Sequence, residues 1–345
     1  MTIHRSYISW RPRTHAALAG LIAAVAALAV CAGPTLAASR AHTGGTTINF
    51  QLDWVPDQSY GGYYEADSKG YYSAAGLKVN FLSGGNVAST ASVIAGGGAQ
   101  IGIVSNMARL YDANKSGANL VAIGAVLQTS PAALMTLPSL KINKISDLDG
   151  LKIGTDTPGK ADINALFAVH HLKPDWKFVP VGYDAAPLFK HVIDAYYVYA
   201  YNQPIPYELK GQQSNVTTFA QLGFNTYSGL IVTSKSFLAG HKAAVKAFLD
   251  ATKKGWAAAL ADPASSVQLT LTKYGKNLGL DSKTALAEFK AEIPFVESAY
   301  TRAHGLLAMD PAAIKGSMAA ALKASGRTDL TSLPASYDRS LLSAS

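Results

Sequence analysis

The chain contains little cysteine and no clusters of basic residues, and each scarcity excludes a class of function. Its 345 residues include one cysteine, Cys31, so the rest of the chain can form no disulfide, no cysteine-ligated zinc site and no cysteine nucleophile. The formal net charge is +8, but the lysines and arginines are scattered along the sequence. Because a phosphate-binding surface needs them clustered, we expect no nucleic-acid partner.

Short catalytic motifs are also missing. The sequence has no Gly-x-Ser-x-Gly elbow, no P-loop and no dinucleotide-binding fingerprint. His170 and His171 are adjacent on a predicted helix and point in different directions, so they cannot chelate one metal ion as an i, i+4 pair could. We therefore expect a protein that is not an enzyme and that uses neither a metal nor another cofactor.

Residues 1–38 have the pattern of a secretory signal peptide. Three arginines precede an uninterrupted apolar run over residues 16–30, and small residues follow it. The run holds about 15 residues, fewer than the roughly 20 that a membrane-spanning helix needs. The pattern predicts export across the cytoplasmic membrane, either into the periplasm or to the outer face of that membrane.

Cys31 leaves two ways of processing this leader open. It ends the string Leu-Ala-Val-Cys, which resembles the lipobox at which bacterial lipoproteins are acylated, although Val30 stands where a small residue is usual. A signal-peptidase cut after Ala37 or Ala38 is the competing interpretation. A lipid on Cys31 would give the exported chain a membrane anchor.

Beyond the leader, short β-rich runs alternate with helical patterns. Repeated strand–helix units of this length predict α/β lobes, each with a mostly parallel sheet covered on both faces. We assign residues 46–128 to a first lobe and residues 129–229 to a second. The strand predicted over 229–233 leads into more helices than the second lobe can use, so residues 230–335 should return to complete the first lobe.

Several motifs resemble one family and follow its order. They are residues 52–57 (LDWVPD), 70–72 (GYY), 95–102 (AGGGAQIG) and 147–154 (DLDGLKIG). Together they resemble the periplasmic solute-binding proteins of ABC importers for thiamine-pyrimidine precursors, sulfonates, nitrate and taurine, and most of all the thiamine-precursor branch. The resemblance implies a two-lobed α/β fold of the type II periplasmic binding class, a ligand held in the cleft between the lobes, and an ABC permease and ATPase as partners.

Four positions depart from the pattern of the thiamine-precursor branch. Asp57 stands where that branch commonly has Asn, Tyr60 where it has His, His191 where it has Gly, and Gln203 where it has Glu. A fold tolerates such changes easily. They put the identity of the ligand in doubt.

Candidate ligand contacts in the first lobe follow the predicted strands, because open α/β sheets bind ligands beyond the carboxyl ends of their strands. Trp54 and Tyr60 offer flat stacking surfaces, and Asp53 and Asp57 can accept hydrogen bonds from ring amino groups. The competing interpretation is that Trp54 packs under its loop and the aspartates cap turns. Further candidates, each before a predicted helix that it could simply cap, are Gly85, Asn86, Ser105 and Asn106.

Candidate contacts in the second half of the sequence are Thr155, Tyr199, Asn202 and Tyr227. Thr155 precedes a predicted helix, and Tyr199 and Asn202 belong to a tyrosine-rich stretch. Tyr227 precedes the returning strand, where the family often places an aromatic residue that faces the ligand. Tyrosines that alternate along a strand are also typical of a half-buried sheet, so a packing role is the alternative.

These residues predict the substrate-binding component of an ABC importer that captures a small heteroaromatic solute, such as a thiamine-pyrimidine precursor, by closing its cleft. Binding of sulfonate, nitrate, taurine or riboflavin is the alternative within the family. Anions prefer N–H and hydroxyl donors without carboxylates, whereas an aminopyrimidine suits aromatic faces and acidic acceptors. A pyrimidine synthase is less favoured, because the family's eukaryotic enzyme branch carries a cysteine-rich motif that this chain lacks. A sensor is the remaining alternative.

Overall fold

Residues 45–85 and 89–342 are described by the structure, a computed structural model. The predicted signal peptide over residues 1–38, Cys31 and the candidate ligand contact Asn86 lie outside these residues. No helix within the described ranges is long and apolar enough to cross a membrane.

Strands and helices alternate along the described chain, as the sequence patterns predict. The strands are β1 (Thr46–Gln51), β2 (Leu77–Leu82), β3 (Ile101–Asn106), β4 (Leu120–Leu127), β5 (Ala132–Thr136), β6 (Lys152–Thr155), β7 (Lys177–Pro180), β8 (Ala195–Tyr199), β9 (Asn215–Thr218) and β10 (Ser228–Ser234). The helices are α1 (Gly61–Ser68), α2 (Tyr71–Ala74), α3 (Thr90–Ala95), α4 (Met107–Lys115), α5 (Thr157–Val169), α6 (Ala186–Phe189), α7 (Ile205–Glu208), α8 (Lys235–Gly240), α9 (Lys242–Ala261), α10 (Pro263–Leu269), α11 (Ser282–Val296), α12 (Ala299–His304), α13 (Pro311–Ala313) and α14 (Ala319–Ala324). Short 3-10 or π turns lie at Gln58–Tyr60, Ile145–Leu148, Thr270–Tyr274, Ile314–Met318 and Pro334–Ser336.

The first sheet has the strand order β2-β1-β3-β10-β4. β1 runs parallel to β2 and β3, whereas β10 runs antiparallel to β3 and β4. β4 is at the end of this order, yet all eight of its residues (LVAIGAVL) are buried. Its outer edge is covered by the C-terminal segment, where the Asp338 N–H donates to the Ala122 carbonyl oxygen (2.8 Å). Such a cover protects an otherwise open sheet edge.

The second sheet has the order β7-β6-β8-β5-β9. β6 runs parallel to β7 and β8, and β5 runs antiparallel to β8 and β9. Both sheets are therefore mixed: four of the five strands in each point in one direction, as expected for mostly parallel sheets, and one strand runs against them, β10 in the first sheet and β5 in the second. β5 and β10 are the strands by which the chain enters each sheet directly from the other, without a strand–helix–strand crossover, so they run against their neighbours. β9 was not predicted, because its four residues (NVTT) lack an apolar pattern.

The chain crosses between the sheets after β4 and again before β10. The two crossing segments are hydrogen-bonded, since Asn225 Oδ1 accepts from the Ser130 N–H (2.9 Å). A third link comes from α14, which packs against α5 and places Ala321 in the core of the second sheet. The assignment of residues 230–335 to a first lobe remains a prediction.

Helix α9 forms much of the packing behind the first sheet. The helical spacing of apolar residues predicts a single helix over residues 236–260, but the backbone breaks at His241 into α8 and α9. The predicted apolar stripe is buried as expected, and it comprises Val245, Phe248, Leu249, Thr252 and Trp256.

Candidate ligand-binding cleft

A cleft of about 1230 Å³ is lined by residues from both sheets. The first sheet contributes residues that follow β1 and β3, and the second contributes residues that follow β6 and β8. These are carboxyl ends of parallel strands, where open α/β sheets bind their ligands. The predicted site residues that line the cleft are Asp53, Trp54, Asp57, Tyr60, Gly85, Ser105, Asn106, Thr155, Tyr199 and Asn202.

The loop after β1 is held by the Tyr60 hydroxyl. This hydroxyl accepts a hydrogen bond from the Trp54 N–H (2.9 Å) and donates one to Asp53 Oδ1 (2.7 Å). Burial raises the pKa of Asp53 to about 6, although the hydrogen bond from Tyr60 acts in the opposite direction. Asp53 is therefore a cleft-lining carboxyl whose pKa lies above its ordinary value.

Asp57 has a structural role in the same loop. Its side chain caps the turn Gln58–Tyr60 by accepting from the Ser59 N–H (3.0 Å). Burial raises the pKa of Asp57 to about 6, against the effect of the bond from Ser59. Asp57 therefore has the capping role that was the alternative to ligand binding, and it also lines the cleft.

The loop after β2 lies directly against the loop after β1. A Cβ on Gly84 would be 2.5 Å from the Leu52 carbonyl oxygen and 2.6 Å from backbone atoms of Asp53 and Trp54, so no larger residue fits. Gly85 has φ +91°, a left-handed conformation that favours glycine. These two glycines let the loop after β2 pack against the loop after β1, where both line the cleft.

Three helices begin at the cleft, and each of their N-termini is already capped by a nearby side chain. Capping satisfies part of the free backbone N–H groups that would otherwise attract an anionic ligand. The capping residues Ser89, Asn106 and Asp156 accept hydrogen bonds from the N–H groups of Ser92 (3.3 Å), Arg109 (3.0 Å) and Gly159 (2.7 Å).

The side of the cleft formed by the second sheet is aromatic. Tyr196, Tyr197, Tyr199 and Tyr201 all contribute to the lining. The Tyr196 hydroxyl donates to the Gly182 carbonyl oxygen (2.6 Å), and the Tyr197 hydroxyl donates to an oxygen of Asp162 (3.0 Å). Because these hydroxyls are occupied, the two rings are held in fixed positions.

Two exposed aromatic side chains meet at the cleft from opposite sides. Trp54 follows β1 and is 43% exposed, and Tyr183 follows β7 and is 72% exposed. Their ring centroids are 5.5 Å apart and the rings are inclined by 59°. Exposed apolar side chains that lie together, unlike single ones, often mark a binding surface. Tyr183 was not among the predicted site residues.

The structure places Thr155 and Tyr227 differently. Thr155 lines the cleft, and its buried hydroxyl has no hydrogen-bond partner among the described residues. Tyr227 is buried away from the cleft, where its hydroxyl accepts from the Asp310 N–H (2.6 Å). Tyr227 is thus not brought together with the other predicted site residues.

Sequence analysis missed three buried residues that line the cleft. Tyr63 on α1, Trp256 on α9 and Glu292 on α11 come from helices that are far apart in the sequence. Glu288 and Glu292 lie four residues apart on the buried face of α11. Two carboxylates within an apolar stripe were the sequence signal that could have indicated these site residues. Burial raises the pKa of Glu292 well above its usual range, and the charge of Asp57 raises it further.

The cleft is rich in carboxylates and poor in cations. Of the described residues that line it, Arg109 alone carries a positive charge. The aromatic lining comprises seven tyrosines and two tryptophans. The acidic lining residues are Asp53, Asp57, Asp112, Asp156, Asp162 and Glu292.

This chain belongs to the NMT1/THI5-like family, whose model matches residues 57–266, more than half of the chain. The family predicted from the opening motifs is thereby confirmed. The riboflavin-binding protein RibY of Chloroflexus aurantiacus is 25% identical over 287 residues, which cover 80% of each chain. The 4-amino-5-hydroxymethyl-2-methylpyrimidine phosphate synthase of Schizosaccharomyces pombe is 25% identical over 230 residues, covering 63% of this chain and 66% of the enzyme.

The fold is shared with solved periplasmic binding proteins. The sulfonate-binding protein SsuA of Methylobacillus flagellatus superposes with a TM-score of 0.61 at 15% identity, covering 87% of this chain and 93% of that protein. The predicted α/β fold of the periplasmic binding class is confirmed.

Proposed function

We propose that this chain is the solute-binding component of an ABC importer and that it captures a small heteroaromatic solute in the cleft. The observation that carries the proposal is the composition of the lining, which combines nine aromatic rings with six carboxylates and one cation. Aromatic faces stack on a flat ring, and carboxylates accept hydrogen bonds from its amino groups. Membership of the NMT1/THI5-like family supports the same conclusion.

The charge of the lining argues against a sulfonate, nitrate or taurine as the ligand. An anionic group would meet one cation of the lining, Arg109, and several acidic side chains, although Asp112 is paired with Arg327 and the raised pKa of Glu292 favours its uncharged form. At the start of α5 it would also meet the carboxylate of Asp156, which already accepts from the Gly159 N–H. Like charges in such a site cost several kcal/mol. The likeness to a sulfonate-binding protein, at 15% identity, shows the fold alone.

Two kinds of heteroaromatic ligand remain. A thiamine-pyrimidine precursor agrees with the opening motif and with the acceptors Asp53 and Asp57. Riboflavin is the second candidate, because the relative RibY is named for binding it and because a cleft of about 1230 Å³ leaves room for a fused ring system. Both offer flat rings to the Trp54 and Tyr183 surfaces.

Capture would proceed by closure of the cleft. Trp54 and Tyr183 approach the cleft from the two sheets and touch each other, so a ring packed against this pair would contact both sides at once. A ligand that makes such contacts in the closed form alone shifts the equilibrium toward that form.

The remaining parts of the proposal concern location and partners. We propose export through the leader over residues 1–38, followed by a cut after Ala37 or Ala38 or by lipidation of Cys31. The loaded protein would deliver its ligand to an ABC permease and its ATPase. Catalysis is not part of the proposal, although the fission-yeast relative is an enzyme. A sensor role would need a different membrane partner for the same cleft.

A thermal-shift screen of the purified protein tests the ligand class, because a ligand that binds only the native state raises the melting temperature. The panel is thiamine, 4-amino-5-hydroxymethyl-2-methylpyrimidine, riboflavin, taurine, an alkanesulfonate and nitrate. We expect a rise with the pyrimidine or with riboflavin. A rise confined to the sulfonates or nitrate would overturn the ligand class and leave an importer component for anions.

Variants of the exposed aromatic pair then locate the ligand. Trp54→Ala and Tyr183→Ala should each weaken binding by about tenfold or more, since stacking of one aromatic side chain on a base contributes about 1–3 kcal/mol. Trp176→Ala is the matched control, because Trp176 is a half-buried indole that does not line the cleft. Equal losses in all three variants would mean that the ligand does not pack against Trp54 and Tyr183.

A further inference from the structure

Two buried glutamates of α11 hold the turn Gln58–Tyr60, which ends the loop after β1. Gln58 Nε2 donates to Glu288 Oε2 (2.5 Å), and the Ser59 side chain is hydrogen-bonded to Glu292. Gln58 and Glu292 are each 2% exposed, and Glu288 is 9% exposed. Because the two glutamates stand one helical turn apart, consecutive residues of the turn each meet one carboxyl group. The position of the loop therefore depends on α11.

One polar atom of this contact has no partner. Gln58 Oε1 is buried, and no donor among the described residues is within hydrogen-bond distance of it. An ionised carboxylate accepts hydrogen bonds only, so in that form Glu288 pairs with the amide NH2 of Gln58 and leaves the amide oxygen unpaired. A protonated carboxyl group carries an O–H and can pair with both halves of an amide. Since buried polar atoms are almost always paired, the contact fits a protonated Glu288.

The elements that pack most extensively against α11 bring no cation to these glutamates. They are the turn Gln58–Tyr60, α7, α10 and β4. Neither α10 nor β4 contains a titratable residue. Helix α7 carries Tyr207, whose hydroxyl donates to another carboxyl group, and Glu208, which is exposed. The lysines of α11 itself, Lys283 and Lys290, are exposed as well.

The titratable groups that face the two glutamates are acidic. Asp57 faces both of them, and Tyr63 and Tyr201 face Glu292. Within the described ranges of the chain, no ion pair includes Glu288, Glu292 or Asp57. Burial and the charge of Asp57 raise the pKa of Glu288 to about 7, although the bond from the amide acts in the opposite direction. Glu288 therefore keeps its proton at pH values where an exposed glutamate has lost it.

We propose that Glu288 is the protonated half of a latch, formed with Gln58, that fixes the loop after β1 on α11. The Glu288 O–H donates to Gln58 Oε1, while Glu288 Oε2 accepts from Gln58 Nε2. When Glu288 passes its proton to solvent, the first of these bonds is lost and a buried charge is left beside Asp57. The loop then loosens from the helix.

The latch acts on the cleft although Glu288 does not line it. The loop that it holds carries Asp53, Trp54 and Tyr60, which do line the cleft. Glu288 is therefore a positioning residue, and the loop should be fixed at acidic pH and loosened at alkaline pH. The latch itself needs no ligand, whereas its effect on ligand affinity rests on the proposed function.

Hydrogen exchange of the loop, followed by mass spectrometry on the full protein, measures the latch directly. The amides of Trp54, Ser59 and Tyr60 donate hydrogen bonds within the loop, so opening the loop exposes them. Because the pKa of Glu288 is about 7 in the closed loop and should return to its ordinary 4.5 in the open one, the stabilisation is complete below about pH 4.5 and is lost as the pH rises through about 7. Protection, corrected for intrinsic exchange rates, should fall about tenfold between about pH 6 and pH 8.5.

Glu288→Gln separates the proton from the shape of the side chain. Its amide offers the same donor and acceptor to Gln58 at every pH, so this variant should match the wild type at the lower pH and lose most of the fall. The smaller part that comes from Asp53 and Asp57 remains. Glu297→Gln, at the exposed end of α11, is the matched control and should keep the whole fall.

Three results would overturn the latch. They are equal protection of the wild-type loop at both pH values, a fall in Glu288→Gln as large as in the wild type, and a loss of protection in Glu288→Gln already at the lower pH. The last result would mean that Glu288 is an ionised acceptor there. Gln58→Leu gives a second check, because without the latch the loop should be weakly protected at both pH values.

Ligand affinity gives a further measurement, with riboflavin and 4-amino-5-hydroxymethyl-2-methylpyrimidine as the probes. The Kd of the wild type, divided by that of Glu288→Gln to cancel titration of the ligand itself, should rise between the lower and the higher pH. A constant ratio would overturn the effect of the latch on the cleft. Absence of binding by either probe, with a pH-dependent loop, would remove the proposed ligand class and leave the latch. A bound probe with a loop that is equally protected at both pH values would do the reverse.

Discussion

The two walls of the cleft treat their polar groups differently. The first wall, formed by Asp53, Asp57, Tyr63, Trp256 and Glu292, contains three carboxyl groups whose pKa is raised by burial. The second wall, formed by Thr155, Tyr183, Tyr196, Tyr197 and Tyr199, binds the Tyr196 and Tyr197 hydroxyls to Gly182 and Asp162. The first wall is therefore acidic, while the second mainly offers ring faces.

The difference follows from how each wall is built. Three of the five second-wall residues lie within one strand, β8, whose backbone is held by its neighbours in the sheet. The first wall combines one loop, in which Asp53 and Asp57 are hydrogen-bonded, with three helices whose packing orients Tyr63, Trp256 and Glu292. Close helix packing at glycines should make the first wall the more sensitive of the two to added volume.

The largest expected effect comes from adding a methyl group behind the first wall. In Gly255→Ala the new Cβ would lie 2.1 Å from the Gly62 carbonyl oxygen and 2.6 Å from the Ala66 Cβ. Because the backbone of α1 must move, we expect the free energy of unfolding to fall by about 3 kcal/mol. Urea unfolding followed by circular dichroism measures this loss.

Gly154→Ala is the matched change behind the second wall. Its Cβ would lie 2.5 Å from Ile193 Cδ1 and 3.0 Å from Val181 Cγ2, which are side-chain ends that can turn away. We expect a loss of about 1 kcal/mol. Equal losses in the two variants would remove the contrast in packing between the walls.

A smaller effect should appear in the dependence of stability on pH. Burial raises the pKa of Asp53 and of Asp57 from 3.8 to about 6 in the folded state. Their contribution to stability is therefore fully present below about pH 4 and is lost as the pH rises through about 6. Because Asp53 is only half-buried, solvent screens part of the effect, and we expect about 1–2 kcal/mol from it.

Urea unfolding at pH 4, 5, 6 and 7 tests this sign. The free energy of unfolding should fall across the series, and the fall should be smaller in Asp53→Asn. Asp184, close to the second wall, should not contribute to this fall. The hydrogen bond from Tyr207 lowers its pKa, so its titration lies below the range from pH 4 to pH 7. A stability that rises between pH 4 and pH 7 would contradict the assignment of buried carboxyls to the first wall.

The sequence predicted the loop of the first wall better than the helices behind it. The sequence predicts strands over residues 77–82 and 120–127, and β2 and β4 match them residue for residue because both segments have clear borders. Asp53 and Trp54 were found because they follow a strand directly. Trp256 was predicted to be buried but not to face a cleft. Which buried helix residues face a cavity depends on the partner helix, and a periodic pattern carries no information about that.

The smallest expected effect comes from removing the buried Thr155 hydroxyl on the second wall. The Thr155 hydroxyl is buried without a partner, so Thr155→Val should change the free energy of unfolding by no more than about 0.5 kcal/mol. Thr136→Val is the control in the same sheet, because the Thr136 hydroxyl donates to the Leu140 carbonyl oxygen (2.7 Å) and its loss should cost about 1 kcal/mol. If Thr155→Val proves as costly as Thr136→Val, its hydroxyl has a partner in the folded protein. If Thr155→Val leaves stability unchanged yet weakens ligand binding, then the Thr155 hydroxyl forms a hydrogen bond with the ligand.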